Sequence, residues 1–176
     1  IKQYKKAPIL PIIQSDQMRI ISGTHKGRKI KATNNLPVRP TTDKAKEALF
    51  NILNNRYYFE NKNMLDLFSG TGNIAFEFAS RGVTKTIAID NNPVCIQSIK
   101  NTAENFKLNV STAQSDAIKY IQNCNKQFDF VFADPPYNYT SYEELKTIII
   151  KKEIIKKDGI LIIEHDKNTM FSDENT

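Results

Sequence analysis

Short apolar runs and longer amphipathic stretches alternate along most of this chain. Met64 to Phe68, Thr84 to Ile89, Val110 to Ala113, Phe128 to Ala133 and Ile160 to Ile163 are rich in β-branched and aromatic residues. Polar or turn-forming residues bound them, and they read as strands, Phe128 to Ala133 and Ile160 to Ile163 as buried ones. Between them the spacing is helical. A helix is expected from about Asn73 to Ser80, where Gly82 breaks it, and another from Pro93 to about Phe106, proline suiting a first turn. Ala117, Ile118 and Ile121 mark a shorter one. Glu143 to Ile155 reads as helical, in one piece or two, before Asp158-Gly159 turns into the last strand. Repeated units of this kind predict an α/β fold, a parallel sheet with helices on both faces.

The front of the chain follows a different pattern. Residues 1–17 show no periodicity and are left as an unassigned arm. Arg19-Ile20-Ile21-Ser22 and Arg28-Lys29-Ile30-Lys31 flank a glycine-bounded loop, Gly23 to Gly27, which suggests a small hairpin. A helix then opens at Thr41 or Thr42, either able to cap it, with Asp43 complementing its positive end. Ala45, Ala48, Leu49, Ile52 and Leu53 supply its expected apolar face. The organisation expected is a basic extension over 18–62 joined to a main domain over 63–176, as one compact unit.

With 176 residues, 40% of them hydrophobic, the chain can bury one sizeable core. No apolar run approaches the roughly 20 residues of a membrane span. Cys95 and Cys124 lie far apart, and His25 and His165 are the only histidines. That argues against a disulfide framework or a metal site and fits a reducing cytoplasm. The net charge of +6 is unevenly spread: residues 1–62 carry 13 Lys/Arg against 4 Asp/Glu, and residues 63–176 carry 12 against 15. Between Gln17 and Thr42 stand Arg19, Lys26, Arg28, Lys29, Lys31 and Arg39 without one acidic residue. This footprint suits phosphates, so a polyanion contacted by the front end is expected.

Acidic residues stand at or near the ends of five successive predicted strands: Asp66, Asp90, Asp116, Asp134 and Glu164. One such residue is often a cap or a turn former, whereas five around the rim of one sheet point to a site. Gly70-Thr71-Gly72-Asn73-Ile74-Ala75 satisfies G-x-G-x-x-A, and Asp90 follows at about the distance of a ribose-binding acid. That pattern alone suits a nicotinamide enzyme and an S-adenosylmethionine enzyme alike. Asp66, just before the loop, favours the second, because a carboxylate there attracts a cationic ligand and repels a pyrophosphate.

The fourth strand runs into Asp134-Pro135-Pro136-Tyr137, where two prolines forbid both helix and ladder pairing. Alone, this is either a turn or a site. Beside the glycine loop it acquires a chemistry. An exocyclic amine of a nucleobase is a poor nucleophile, because its lone pair is delocalised into the ring. A carboxylate and a backbone carbonyl placed together accept its two N–H bonds and stabilise the charge that forms on attack. Tyr137 offers a face on which an extruded base can stack.

These residues together resemble the RsmD-type 16S ribosomal RNA guanine-N2 methyltransferases. The resemblance rests on Met18 to Gly23 with Lys26-Gly27-Arg28, and on Arg39-Pro40-Thr41-Thr42-Asp43 with Glu47 to Asn51. It continues through Asp66 to Gly72, Asp90, Asp134 to Tyr137 and Ile162 to His165. It implies a Rossmann-like methyltransferase fold that uses S-adenosylmethionine, without a metal, on one guanine of the small ribosomal subunit. It also implies that Asp66, Gly70 and Gly72 hold the methionine end, Asp90 the ribose, and Asp116 with Ala117 the adenine. Asp134, Pro135, Pro136 and Tyr137 would hold the guanine. Arg19, Lys26, Arg28, Lys29, Arg39 and Thr41 would face the RNA. A cytoplasmic monomer is expected. The alternatives are an adenine-N6 DNA methyltransferase, which shares Asp-Pro-Pro-Tyr, and a non-catalytic RNA-binding protein on the same fold. The family usually continues past the Glu164-His165 strand into a final antiparallel hairpin, whereas a polar stretch from Asn168 to Thr176 follows it here.

Overall fold

The computed structural model describes residues 18–31 and 42–165, and all statements below concern those residues. Arg39, Thr41, the 1–17 arm and the polar stretch 168–176 lie outside them. The elements run α1 (Asp43–Asn54), β1 (Asn63–Leu67), α2 (Asn73–Ser80), β2 (Lys85–Asp90) and α3 (Pro93–Phe106). They continue with β3 (Val110–Gln114), α4 (Ala117–Gln122), β4 (Phe128–Ala133), α5 (Tyr142–Lys151) and β5 (Ile155–Ile163). Five strands, all parallel, form one sheet in the order β3-β2-β1-β4-β5.

Alternation along the strands divides the core into layers. Leu65, Leu67, Ile87, Ile89, Val131 and Ala133 face α4 and α5 with Ala117, Ile121, Leu145 and Ile149. Met64, Phe130 and Phe132 face the other way, against Phe50 and Leu53 of α1 and Ile74 and Phe78 of α2. Phe50, Phe59, Phe78 and Phe130 pack there with ring centroids 4.8–6.1 Å apart.

The glycine-bounded segment forms a short hairpin. Arg19 and Lys29 make an antiparallel bridge, and N–H groups of Ile20, Gly27 and Ile30 donate to carbonyls of Arg28, Ile20 and Met18. Met18, Ile20 and Ile30 are buried against α2 and α3. The hairpin lies along α2. Met18 Sδ accepts from Thr71 Oγ1 near the start of that helix, while Thr24 N–H donates to Ser80 O at its end. A Cβ on Gly23 would stand 1.9 Å from Ser80 O, so glycine is what lets the loop dock. His25 stacks on Phe106 and its Nε2 lies 2.7 Å from the Phe106 carbonyl.

Two expectations are corrected. In α1 the buried residues are Lys46, Phe50 and Leu53, whereas Ala45 and Ala48 are exposed and Ile52 is 56% exposed. The helix is rotated because Phe50 completes the aromatic cluster and Lys46 finds an acidic partner inside. The final strand also starts earlier than expected, at Ile155, and α5 stops at Lys151. Asp158 and Gly159 therefore lie within β5, at a register shift opposite Phe128 and Phe130. A Cβ on Gly159 would come 2.9 Å from Asp129 O, and its absence lets the strand close on β4. No helix among the described residues is long and apolar enough to cross a membrane.

Candidate active site

β1 and β4 are neighbours whose chains diverge at their carboxyl ends. β1 passes into α2 on one face of the sheet, whereas β4 leads to α5 on the other. Such a switch point opens a crevice, the place where open α/β sheets bind ligands. Leu67 is in register with Ala133, so Phe68 and Asp134 leave the sheet at the same level.

Backbone hydrogen bonds shape the glycine loop. Ser69 N–H donates to Ile89 O at 2.9 Å, Gly70 N–H to Asp90 Oδ2 at 2.8 Å, and Gly72 N–H to Ser69 O at 2.7 Å. Gly72 has φ 76°, and a Cβ there would meet Phe76 Cε2 at 2.8 Å and Ile99 Cγ1 at 2.9 Å. Conformation and space both require glycine. Phe68 holds φ 61°, a conformation that costs a bulky residue about 1–3 kcal/mol. That backbone turns the Phe68 ring edge-on to Tyr139, 5.2 Å between centroids.

Asp66 is 1% exposed, and its Oδ2 has no hydrogen-bond partner among the described residues. Burial, and then the charge of Asp134, pushes its carboxyl well above the usual carboxylate range, against the opposing pull of the Ala75 N–H and the Ser69 hydroxyl. Asp134 is half-buried. Burial first and the Glu164 charge second push it up to about 6. Both carboxyls therefore bear a cost of ionisation that a cation seated in the crevice would relieve.

The prolines set out the rest of the site. Pro135 is buried, Pro136 is exposed, and Tyr137 is 90% exposed with its ring available for stacking. Pro136 O accepts the Tyr139 N–H at 2.8 Å, which closes a turn. The Pro135 carbonyl accepts no backbone hydrogen bond among the described residues. Asp90 is buried, and its two oxygens accept from Gly70 and Asn92 N–H. One further lone pair on each oxygen is not used by these bonds. Asp116 caps α4, its Oδ1 accepting the Lys119 N–H at 3.0 Å, and Ala117 is the buried first residue of that helix.

The cationic candidates divide by their partners. Arg19 Nε pairs with Asp43 Oδ2 at 2.9 Å, and the Arg28 guanidinium lies over the Phe106 ring at 4.9 Å. Lys26 and Lys29 are exposed and make no ion pair among the described residues.

Two features of the site escape a reading of the motifs. Buried Lys46 donates to Asn73 Oδ1 at 2.6 Å, at the first residue of α2, and to Arg19 O. Its signal is its place on one helical face with Phe50 and Leu53. Its partner Glu77 is the only charged residue in the otherwise apolar segment of α2. Tyr139, beyond the Asp-Pro-Pro-Tyr motif, carries no sequence signal; only the fold brings it to Phe68.

A parallel sheet in this order, with a glycine turn after β1 and an acidic Pro-Pro turn after β4, defines the methyltransferase class of α/β proteins. The solved structure "Putative methyltransferase yhhF from Escherichia coli" is similar, with a TM-score of 0.78 and 26% identity over 89% of this chain and 86% of that one. The chain belongs to the family described as "Conserved hypothetical protein 95", the RsmD family, which matches residues 18–176. "Putative rRNA methyltransferase YlbH" of Bacillus subtilis is 36% identical over 85% of this chain and 83% of its own length. "Ribosomal RNA small subunit methyltransferase D" of Haemophilus influenzae is 29% identical over 86% and 80%.

Proposed function

We propose that this protein transfers a methyl group from S-adenosylmethionine to the exocyclic N2 amine of a guanine in 16S rRNA of the small ribosomal subunit. The observation that carries the reading is Asp66 near the end of β1 and Asp134 just past the end of the adjacent β4, the first buried with an oxygen that has no hydrogen-bond partner among the described residues, the second next to the Pro135 carbonyl, which accepts no backbone hydrogen bond among them. The names of the relatives above support an rRNA substrate, and the RsmD resemblance supports guanine N2.

The residues fit the cofactor. Asp66 Oδ2 is an acceptor without a donor, suited to its ammonium group, and Gly70 and Gly72 bring the backbone close to its methionine end. Asp90 both orders the loop and offers its spare lone pairs to ribose hydroxyls. Asp116 and Ala117 border the adenine. When bound, S-adenosylmethionine supplies an electrophilic methyl on a positively charged sulfur. Asp134 and the Pro135 carbonyl accept the two N–H bonds of the amine, draw its lone pair out of the ring, and aim it. Asp134 Oδ then holds the proton that the amine sheds. Tyr137 stacks on the base. Residues 18–62 act as the RNA-binding extension, with Lys26 and Lys29 on phosphates and Arg39 and Thr41 near the target.

The test is incubation with labelled S-adenosylmethionine and small subunits from cells lacking this gene, followed by mapping of the modified nucleotide. Label on a guanine of 16S rRNA is expected. Label in duplex DNA but none in RNA would overturn the proposal in favour of adenine-N6 chemistry.

A further inference from the structure

A second cavity, of about 470 Å³, opens between the hairpin and the helices α1 and α2. Arg19 and Lys26 line it from the hairpin, Glu47, Asn51 and Asn54 from α1, and Arg81 from the end of α2. Glu47, Asn51 and Asn54 recur at i, i+4 and i+7, so one helical face forms that wall. None of Asp66, Asp90 and Asp134 borders it.

Arg81 gives the cavity its chemistry. Its side chain is only 8% exposed, held by Glu77 Oε1 at 2.8 Å and by the Phe50 ring, whose centroid lies 4.4 Å from the guanidinium carbon. Nη1 donates to Asn54 Oδ1 at 3.2 Å. Those bonds use two of the five N–H groups that a guanidinium carries. The other three make no hydrogen bond among the described residues, although donors so deeply placed are normally paired. Glu77 faces two cations, Lys46 and Arg81, so one positive charge stays unmatched. A planar fork fixed by an ion pair and a ring suits an anion with two oxygens to share, above all a phosphate.

The hairpin brings a further cation to the same end. Thr24 N–H donates to Ser80 O, beside Arg81 in the chain, and Lys26 N–H donates to Gly23 O. The tip that carries Lys26 is thereby fixed over the end of α2. Lys26 is exposed and makes no ion pair among the described residues. Glu47, the one carboxylate that lines the cavity, stands two helical turns before Asn54, roughly 10 Å away along α1. An anion at the Arg81 end avoids it. Asn51 makes no hydrogen bond among the described residues, and Asn54 uses only its oxygen, so both amides can donate into the cavity.

We propose that this cavity is a second phosphate site, where Arg81 and Lys26 grip one backbone phosphate of the RNA strand whose target nucleotide fills the crevice. This rests on the RNA reading given above. α2 begins at the glycine loop and ends at Arg81, so a single strand can occupy both places. The grip is on the backbone and takes any base.

The test charges the cavity without disturbing its frame. Asn51→Asp puts a carboxylate at an exposed position one turn from Asn54. Asn125→Asp makes the same charge change after α4, on the opposite face of the sheet, and serves as the control. Binding of a single-stranded oligouridylate long enough to span α2 is followed by fluorescence anisotropy over a series of salt concentrations. Asn51→Asp should bind it about tenfold more weakly than the wild type. Its slope of log affinity against log salt should be shallower by about 0.7, one phosphate contact to a single strand. Its melting temperature should match the wild type. Arg81→Lys, which keeps the charge and loses the fork, should bind about fivefold more weakly, and the two losses should not add, since both act on one phosphate. Equal binding by Asn51→Asp and Asn125→Asp overturns the site, and additive losses overturn the part given to Arg81. Uridine monophosphate bound as tightly as the oligouridylate, and weakened equally by Asn51→Asp, would make the cavity a mononucleotide site and overturn the strand. Should these shifts appear while the wild type labels no guanine of the small subunit, the phosphate site stands and the target reading falls.

Discussion

Lys46 Nζ lies 3.5 Å from Glu77 Oε2, and neither side chain has any exposure to solvent. Around this pair three elements are tied together. Glu77 of α2 also accepts the Ile21 and Ser22 N–H groups of the hairpin, at 2.7 and 3.0 Å, and Arg81 Nε at 2.8 Å. Lys46 of α1 reaches Asn73 beside the glycine loop. Burial holds the Lys46 ammonium below its usual range, with the charge of Glu77 opposing. Replacing one partner strands the other charge in the core, which costs about 3–5 kcal/mol in such pairs. Lys46→Met and Glu77→Gln should each lower the urea midpoint accordingly. Weak coupling in a double-mutant cycle, below about 0.5 kcal/mol, would show that the two do not act as a pair.

Asp134 is expected to be catalytically required and structurally costly. Asp134→Asn should abolish methyl transfer while S-adenosylhomocysteine binding is largely kept. Its folded pKa, about 6, lies above the value of 3.8 for a free aspartate, so the folded state holds the proton more tightly. Stability from this group is complete below pH about 4 and is lost as pH rises through about 6. Above that, the carboxylate is ionised where burial disfavours it. Thermal melts should therefore show Asp134→Asn more stable than the wild type at pH 8 and equal to it, or nearly so, at pH 4. Single-turnover transfer by the wild type should rise with pH through about 6, because only the ionised carboxylate can accept from the amine.

Gly72→Ala forces a side chain into a left-handed residue and against Phe76 and Ile99. The expected loss is more than 1 kcal/mol in unfolding free energy, accompanied by weaker S-adenosylhomocysteine binding as the loop shifts. A variant with the melting temperature and ligand affinity of the wild type would show that the loop tolerates a Cβ.

Lys26→Ala combined with Lys29→Ala removes two exposed cations that make no ion pair among the described residues. RNA binding should weaken, and the dependence of log affinity on log salt should become shallower by about 1.4 to 1.8, the contribution of two phosphate contacts. Affinity for S-adenosylhomocysteine should not change. An unaltered salt slope would place the RNA elsewhere.

The alternating pattern locates β1, β2 and β4 and the helices beside them because those strands are buried on both faces and read as near-continuous apolar runs, whereas the edge strand β3, Val-Ser-Thr-Ala-Gln, has no buried residue. The glycine loop and the Asp-Pro-Pro-Tyr turn are legible for a related reason: both depend on backbone constraints that few residue types satisfy. What escapes is set by contacts distant in sequence. The rotation of α1 follows from Phe50 meeting Phe78 and Lys46 meeting Glu77, and a search for apolar periodicity skips a buried lysine. The early start of β5 depends on Gly159 allowing close approach to Asp129, which from sequence looks like a turn. Tyr139 is invisible for the same reason, since its ring contacts with Phe68 and Tyr142 arise only in the folded chain.

The docking of the hairpin along α2 gives the protein a ruler. Met18 lies at the glycine loop and Gly23 at the far end of the helix, so the eight residues of α2 separate the tip of the hairpin from the glycine loop by about 12 Å. On the proposed function, a single nucleoside can fill the crevice but cannot also reach Lys26. Only a strand that spans several nucleotides touches both ends, and the fixed span between them becomes a length requirement on the RNA, imposed without reading any base other than the target.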